Sequence, residues 1–313
     1  MDVKKYNNFF DDRTVLVTGG AGFIGSHLTQ HLVALGACVH VLDDLSSGNI
    51  SNLDGLDVHF TQGSILDMHT LEHAIQGCSV VFHEAAFVSV PESFEKADRC
   101  FEVNIKGTSN LLKVATKEQC KRVVFASSAA CYGGDPNLPS RETDTISAES
   151  PYAQSKVMGE QLMRDAKIDT VSLRYFNVFG ERQDPNSQYA AVISAFSEAI
   201  SNNREPTIFG DGSQSRDFTH VSNVVHANCL AGSHINPLAG DIFNVGTGSM
   251  LSLLDVLHAM MGDQSVHANF QPARKGDVRE SCADIGKITT LLGYAITEKA
   301  VDSLRSFVNP KRH

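Results

Sequence analysis

The sequence predicts an α/β fold in which helices cover both faces of a doubly wound parallel sheet, followed by a smaller carboxy-terminal lobe. Short β-branched runs alternate with segments of helix length, which is the pattern of βαβ units. At roughly 150 residues per domain, the 313 residues correspond to about two domains. We expect the first domain at residues 12–178 and the lobe at 179–313. No linker rich in Pro, Gly or Ser separates them, so the two are expected to interleave.

Six apolar runs predict the parallel strands. They are TVLVT at 14–18, CVHVLD at 38–43, DVHFTQ at 57–62, SVVFHEA at 79–85, RVVFASS at 122–128 and TVSLRYF at 170–176. Apolar residues at helical spacing predict a helix from Phe23 to Leu35, and Gly36 is a residue type that often ends helices. After about residue 178 the alternation gives way to longer loops, which marks the smaller lobe.

Charge and composition exclude several classes of function. The chain has 26 Lys and Arg against 36 Asp and Glu, and the net charge of −10 opposes binding to nucleic acid or to an anionic membrane. No window approaches the roughly 18 apolar residues of a membrane span, and the amino terminus has no apolar run of signal-peptide length. The seven cysteines are scattered, without a CxxC pair or a zinc-type histidine spacing. We therefore expect reduced thiols, no metal and a cytoplasmic protein.

A glycine-rich loop, TGGAGFIG, joins the first predicted strand to the first predicted helix. Its glycine spacing allows a tight turn, close approach of the backbone to a pyrophosphate, and close contact between helix and sheet. The anion would lie at the helix amino terminus. With a strand before it and a helix after it, the loop predicts a Rossmann-type dinucleotide site in preference to a bare glycine-rich turn. The residues expected to contact the cofactor are Gly19, Gly22, Phe23, Ile24 and Gly25.

The second predicted strand ends at Asp43, the position of the acidic residue in this type of site. A carboxylate there accepts hydrogen bonds from the ribose hydroxyls of an adenosine and repels a 2′-phosphate. Residues 44–49 contain no Lys or Arg that could neutralise such a phosphate. The sequence therefore predicts NAD as cofactor in preference to NADP. The alternative is an ordinary turn carboxylate after a strand.

Ser128, Tyr152 and Lys156 predict redox chemistry with a tyrosine base. Ser128 ends the fifth strand, while Tyr152 and Lys156 stand at positions i and i+4 of a helix that Pro151 can begin. The ammonium can lower the pKa of the phenol, so that the phenolate removes a hydroxyl proton while hydride leaves the same carbon for NAD. A YxxxK pair alone is more often a solvated helix pair. Its position after the serine and the glycine-rich loop favours catalysis.

Together these motifs resemble the extended short-chain dehydrogenase/reductase family, and within it the NAD-dependent nucleotide-sugar 4-epimerases. The resemblance covers nearly all of the chain after the first dozen residues. The motifs are TGGAGFIG (18–25), LDDLSSGN (42–49), HEAAFVSVPES (83–93), NIKGTSNLL (104–112), ASSAACYG (126–133), SPYAQSKVMGEQ (150–161), LRYFNVFG (173–180), GDGSQSRDFTHV (210–221) and ARKGDVRES (273–281).

The resemblance implies further site residues on both sides of the catalytic set. Those on the cofactor side are Ser64, Ile65, Ala85, Ala86 and Asn104, with Asn104 supporting the catalytic residues from a neighbouring helix. Those on the substrate side are Val88, Asn177, Arg216, Arg274 and Ser281. The asparagine and the two arginines match groups that hold a UDP diphosphate. A small residue at Ser281 leaves space for an N-acetyl group on C2 of the sugar. A shift of one residue in the loop would put Cys282 there instead.

The implied activity is 4-epimerisation of a UDP-hexose through a transient 4-keto intermediate. UDP-N-acetylglucosamine and UDP-N-acetylgalactosamine are the first candidates, and UDP-glucose and UDP-galactose are also expected. Related dehydratases carry Asp-Glu after the serine and decarboxylases carry Glu, whereas Ala129 and Ala130 cannot exchange protons. The alternatives are a UDP-glucuronate epimerase, a decarboxylase, a dehydratase, a net-oxidising dehydrogenase and a non-catalytic dinucleotide sensor. The resemblance also implies a homodimer, formed through helices near 97–118 and 151–166.

Overall fold

The computed structural model describes residue 6 and residues 8–183, 191–262, 267–273 and 278–308. The strands are β1 Thr14–Thr18, β2 Cys38–Asp43, β3 Val58–Gln62, β4 Val80–His83, β5 Arg122–Ser128, β6 Asp169–Tyr175, β7 Val178–Phe179, β8 Thr207–Phe209, β9 Ser215–Arg216, β10 Thr219–His220, β11 Asp241–Val245, β12 Leu251–Ser252, β13 Asn269–Gln271 and β14 Glu280–Ser281. The α-helices are α1 Phe23–Ala34, α2 Met68–Ile75, α3 Val90–Glu95, α4 Ala97–Phe101, α5 Thr108–Lys117, α6 Pro151–Arg164, α7 Ala191–Ser201, α8 Val221–Ser233, α9 Leu253–Met261, α10 Gly286–Leu292 and α11 Ala300–Val308. Short 3₁₀ segments cover Ile50–Leu53 and Ala129–Tyr132, and a π-helical turn covers Glu102–Gly107.

A seven-stranded parallel sheet forms the centre of the molecule, in the order β11-β6-β5-β4-β1-β2-β3. The strand order reverses between β1 and β4, and in doubly wound sheets ligands bind at the carboxyl ends of the strands beside such a reversal. The predicted fold class is confirmed. Strands β1, β2 and β5 have the predicted bounds, and β3, β4 and β6 differ by one or two residues. The sequence pattern did not identify β11.

Two apolar clusters hold the helices against the two faces of this sheet. One joins strand residues such as Val15 and Phe82 to α1 and α8, and the other joins Leu16 and Val81 to α2, α5 and α6. Neighbouring strand residues enter different clusters because successive side chains point to opposite faces. The predicted first helix is confirmed to within one residue. Gly36, just after it, has a φ of +84° and so takes the left-handed conformation expected at a helix end.

A third apolar cluster holds the smaller lobe together, with Phe179, Phe196, Phe218, Leu257 and Leu304 among its buried members. These side chains bring α7, α9 and α11 together. By contrast, α8 and β11 follow residue 179 in the chain yet pack in the central layers. Both regions are therefore built partly from the carboxy-terminal half of the chain. Among the helices that the structure describes, none has the length and apolar character to cross a lipid bilayer.

Candidate active site

The glycine-rich loop packs so tightly that side chains could not be added to it. A Cβ atom on Gly19, whose φ is +70°, would lie 2.7 Å from the backbone nitrogen of Ala85. A Cβ atom on Gly25 would collide with the carbonyl oxygen of Gly19. Gly22 precedes α1 and has no side chain to cap it, which leaves the N–H groups of the first turn, at Phe23 and Ile24, for an external anion. This cradle fits the pyrophosphate of a dinucleotide.

Asp43 lies at the carboxyl end of β2, directly against the glycine-rich loop. Its Oδ2 accepts a hydrogen bond from the Ala21 N–H at 2.9 Å, and its Oδ1 accepts one from the Leu45 N–H at 2.8 Å. Burial raises the pKa of this carboxyl, while the two N–H groups act in the opposite direction. Asp43 is therefore held next to the loop, as the interpretation of it as a ribose acceptor requires.

Ser64 and Ile65 follow the neighbouring strand β3 and remain close to Asp43. The Gly63 N–H donates to the Asp43 carbonyl at 3.0 Å, and the Ser64 hydroxyl accepts from the Leu66 N–H at 3.3 Å. Ile65 is buried against Gly107, where an added Cβ would lie 2.5 Å from its Cδ1. Ser64 therefore lies near Asp43, whereas the side chain of Ile65 packs into the apolar cluster on one face of the sheet.

Tyr152 and Lys156 share the first turns of α6. Ser150 caps this helix by accepting a hydrogen bond from the Ala153 N–H at 3.1 Å. The Lys156 ammonium donates to the Ala126 carbonyl at 2.7 Å and lies 5.7 Å from the centre of the Tyr152 ring. Burial lowers the pKa of Lys156 to about 8, so the side chain is largely protonated at neutral pH. A buried cation is therefore held beside the phenol.

Ser128 ends β5 on the strand that also carries Ala126, so it lies near the carbonyl to which Lys156 donates. Its hydroxyl is half-buried and accepts a hydrogen bond from the Ala130 N–H at 3.1 Å. That bond leaves the hydroxyl hydrogen free to donate to a substrate. The sequence-predicted set of Ser128, Tyr152 and Lys156 thus lies at the carboxyl edge of the sheet, beside the cofactor crevice.

Asn104 connects α6 to the loop that follows β4. Its Oδ1 accepts from the Phe87 N–H at 2.7 Å, while its Nδ2 donates to the Phe87 carbonyl at 3.0 Å and to the Ser155 hydroxyl at 2.8 Å. Ser155 in turn donates to the Tyr152 carbonyl at 2.7 Å. Asn104 therefore positions the loop of Ala85, Ala86 and the exposed Val88 relative to the tyrosine.

The sequence interpretation missed His83, which ends β4 and is fully buried. Its Nδ1 lies 2.8 Å from the Thr18 hydroxyl and its Nε2 lies 2.9 Å from the Thr108 hydroxyl. Thr108 donates its own hydrogen to the Asn104 carbonyl, so Nε2 carries the ring hydrogen and Nδ1 accepts from Thr18. Burial lowers the pKa of His83 to about 3, which keeps the ring neutral. A neutral histidine thus joins the ends of β1 and β4 to α5.

Glu84 was also missed, although it follows His83 directly. Its Oε1 accepts a hydrogen bond from the Tyr175 hydroxyl at 2.8 Å, and that hydroxyl accepts one from Asn228 Nδ2 at 2.8 Å. Burial raises the pKa of Glu84 to about 7, and the charge of Lys156 partly opposes this shift. Glu84 therefore places a titratable carboxyl within electrostatic range of Lys156.

Three of the predicted substrate residues come together, Asn177 from the segment after β6 and two from the smaller lobe. Asn177, which has a φ of +25°, donates through Nδ2 to the Ser281 hydroxyl at 3.4 Å. Ser281 is the register partner of Arg216 in the pairing of β14 with β9, and Arg216 donates to the Arg279 carbonyl at 3.0 Å. Cys282 is buried behind the strand, so the side chain beside Asn177 is that of Ser281. Arg274 lies outside the described residues.

Asp217 fixes these loops and was not recognised in the sequence. Its fully buried carboxylate accepts hydrogen bonds from the N–H groups of Thr247, Gly248 and Ala283 at 2.8, 3.0 and 3.1 Å. Burial raises the pKa of this carboxyl, and the hydrogen bonds counteract that effect. Asp217 therefore joins three loop segments next to Arg216 and Ser281.

Comparison with known proteins places this site in a family. The sequence model of the NAD dependent epimerase/dehydratase family matches residues 15–246. The chain belongs to this family. The chain is 38% identical over 286 residues to a putative UDP-glucose 4-epimerase of Methanocaldococcus jannaschii. The alignment covers 88% of this chain and 92% of the relative. It is 33% identical over 295 residues to a UDP-N-acetyl-alpha-D-glucosaminuronate decarboxylase of Bacillus cytotoxicus, covering 85% and 91%.

Among solved structures, a UDP-N-acetylglucosamine 4-epimerase from Methanobrevibacter ruminantium in complex with UDP-N-acetylmuramic acid is 35% identical. The two superpose with a TM-score of 0.89 over 95% of this chain and 97% of that chain. Membership in the epimerase/dehydratase family confirms the predicted fold, the predicted enzyme class and NAD as the cofactor. The relatives named here include both epimerases and a decarboxylase, so the choice of reaction depends on the site residues of this chain.

Proposed function

We propose that this chain is a UDP-sugar 4-epimerase that interconverts UDP-N-acetylglucosamine and UDP-N-acetylgalactosamine, and that it also accepts UDP-glucose and UDP-galactose. The observation that carries the proposal is the surroundings of Tyr152. A buried ammonium lies beside the phenol, and Ala129 and Ala130 bring no proton-exchanging side chain after Ser128. This set suffices to oxidise and re-reduce one carbon, which is all that epimerisation requires.

The glycine-rich loop and Asp43 would hold NAD, with the pyrophosphate at the amino end of α1 and the adenosine ribose at the carboxylate. Ser64 and Ile65 would border its adenine side, and Ala85 and Ala86 its nicotinamide side. When bound, NAD supplies the reversible oxidation of the secondary alcohol at C4 of the sugar.

In the proposed mechanism, Tyr152 takes the proton of the C4 hydroxyl and later returns it. Ser128 donates a hydrogen bond to the same oxygen and keeps it within reach of the phenol. Lys156 favours the phenolate because its positive charge lies 5.7 Å from the ring centre. Asn104 keeps Tyr152 in place through Ser155. Such general acid–base catalysis contributes about 10²–10⁴-fold to the rate.

The smaller lobe would bind the nucleotide and determine which sugar is accepted. Asn177, Arg216 and Arg274 are proposed to hold the diphosphate, and Val88 to border the sugar. Ser281 forms a small wall beside Asn177 and leaves room for an acetamide on C2. The proposal keeps residues 12–178 as the cofactor domain and 179–313 as the main source of substrate contacts. It also includes a homodimer formed through α4, α5 and α6.

The proposal is tested by incubating the holoenzyme with a panel of UDP-sugars and separating the products, without an added oxidant. We expect the acetylated pair to interconvert. Ser281→Tyr should suppress this reaction selectively, because a phenol ring overlaps the acetamide but not a C2 hydroxyl. Ser281→Ala is the matched control, since it removes the hydroxyl without adding bulk and should retain both reactions. Turnover of UDP-glucose alone by the wild type, or equal slowing of both pairs by Ser281→Tyr, would show that the sugar assignment is wrong.

The main rival reaction is decarboxylation of a UDP-uronate, which one relative is named for. It is separated in the same panel by including substrates with a C6 carboxylate and measuring carbon dioxide release. A net oxidation would instead release NADH in proportion to product. Release of carbon dioxide or of NADH, without epimerisation, would show that the proposed activity is wrong.

A further inference from the structure

Cys38, His40 and His59 form a side-chain cluster that the proposed activity does not use. Each has a sulfur or nitrogen capable of binding a metal, and these three atoms all lie within 4.8 Å of one another. Cys38 and His40 are two residues apart on β2, so their side chains share one face of the sheet. His59 is the register partner of His40 on β3, and the two imidazole rings are 5.0 Å apart. Strand pairing therefore brings His59 of β3 to Cys38 and His40 of β2.

We propose that Cys38, His40 and His59 bind one Zn²⁺ ion, with water in the fourth position. Thiolate and imidazole are ligands that zinc prefers, whereas Ca²⁺ and Mg²⁺ require oxygen ligands. Tetrahedral zinc, with bonds of about 2.0–2.3 Å, places its ligand atoms roughly 3.5 Å apart. Because the ligand atoms now lie up to 4.8 Å apart, the cluster needs to contract by at most about 1.3 Å. Cys38 and His59 are exposed, so their side chains are free to turn inward.

A hydrogen bond behind the cluster prepares His40 for metal binding. Its Nδ1 donates to the Ala74 carbonyl at 3.0 Å. The ring hydrogen is thereby fixed on Nδ1, and Nε2 keeps its lone pair for a metal. Histidines that bind metals commonly make such a bond through the other ring nitrogen. His40 is also half-buried between α2 and the sheet, so less freedom is lost when it binds an ion.

The position of the cluster in the sheet indicates what a bound ion would do. Cys38 is the first residue of β2, whereas Asp43 is the last and lies at the opposite, catalytic edge. β3 is the final strand of the sheet and pairs only with β2 within the described sheet. Zinc would join this edge strand to its neighbour and would not contact the cofactor or the substrate. The role is therefore structural, and zinc should raise thermal stability without altering turnover.

The test is calorimetric titration of the metal-stripped, NAD-loaded enzyme with zinc chloride, in the presence of a phosphine reductant that keeps Cys38 reduced. Cys38→Ser and His59→Asn each remove one ligand from an exposed position. His258→Asn is the matched control, because His258 is also exposed and also bonds through Nδ1 to a backbone carbonyl, that of Leu254. Magnesium chloride serves as the control cation.

We expect one zinc ion per chain, binding at least about tenfold weaker in either cluster variant, and wild-type binding in His258→Asn. The melting temperature should rise with zinc in the wild type and in His258→Asn, but not in the cluster variants. Turnover of UDP-sugars should be the same in all four proteins, which also shows that each is folded. The proposal is overturned if zinc does not bind at one per chain, if both cluster variants bind it as tightly as the wild type, or if magnesium binds equally well.

Discussion

The cofactor side and the substrate side of this site are built in different ways. On the cofactor side, residues close in sequence act together: the glycine-rich loop runs straight into α1, and Tyr152 and Lys156 share one helix. The seven-stranded sheet supports them. On the substrate side, Asn177, Arg216 and Ser281 come from three separate segments, and strands of two residues join the last two. The cofactor side is thus built from short local motifs, whereas the proposed sugar-binding side depends on a few contacts between segments that are distant in sequence.

The largest expected effect is a loss of turnover caused by a substitution on the cofactor side. Tyr152→Phe should lower turnover by about 10²–10⁴-fold, because it removes the group that exchanges the proton, while NAD binding is unchanged because the glycine-rich loop is intact. Steady-state rates and NAD titration measure the two effects. Tyr294→Phe is the control, since its buried hydroxyl bonds to the Gly246 carbonyl away from the catalytic set. A Tyr152→Phe enzyme with more than about a tenth of wild-type activity would show that another group is the base.

A second substitution tests the substrate side alone. In Asp217→Asn, an amide nitrogen replaces one of the carboxylate oxygens that now accept hydrogen bonds from backbone N–H groups. Each buried hydrogen bond that is lost destabilises the folded loops by roughly 1–3 kcal/mol. We expect the KM for UDP-sugar to rise about tenfold or more, with little change in NAD affinity. Asp211→Asn is the control, because Asp211 is exposed and its carboxylate accepts hydrogen bonds from the N–H and hydroxyl of Ser213, two residues away. Equal loss of NAD and UDP-sugar binding would mean that the two sides are not independent.

A smaller effect is expected on the cofactor side, in the preference for NAD over NADP. Asp43→Asn removes the negative charge that would oppose a 2′-phosphate, so the preference for NAD over NADP should shrink by roughly tenfold, consistent with like-charge energies of about 1 kcal/mol or more. The adjacent, exposed Asp44 gives the control Asp44→Asn. Equilibrium titration with both cofactors measures the ratio. If the wild type binds both equally, Asp43 does not contact the ribose.

The smallest effect expected is a shift in pH dependence. Lys156 is protonated below its pKa of about 8, and the negative charge of Glu84 raises that pKa. Glu84→Gln removes this charge, so the pKa of Lys156 should fall and activity should be lost at a lower pH on the alkaline side, by about one pH unit or less. Glu92→Gln, at an exposed surface pair with Lys96, should leave the profile unchanged. An alkaline limb that stays in place or moves upward would contradict the coupling.

The sequence predicted those parts of the molecule that depend on local pattern. Continuous apolar runs predicted six strands, because the central strands of a covered parallel sheet are buried on both faces, and apolar residues at helical spacing predicted the first helix. The glycine spacing and the Tyr152–Lys156 pair predicted the residues on the cofactor side of the site. β11 was missed because it returns to the central sheet from a region rich in loops, and its partner β6 lies far away in sequence.

The buried polar residues were harder to predict for a related reason. His83 and Glu84 follow an apolar strand, and nothing in their immediate neighbours shows that one is kept neutral and the other bonded to Tyr175. Asp217 looks like an ordinary loop carboxylate until the fold brings Thr247 and Ala283 to it. In the same way, the interpretation that the cysteines lack a zinc-type spacing considered sequence separation alone, whereas His59 reaches Cys38 and His40 through strand pairing.

The return of the chain to the central sheet limits how this enzyme can be re-engineered. α8 and β11 lie between the segments of the smaller lobe in sequence, yet they belong to the core of the other region. A fragment ending near residue 178 would leave the edge of β6 and the apolar face beneath α8 uncovered. A chimera that borrows another sugar specificity therefore needs two grafts, one on each side of residues 221–245, rather than a single crossover.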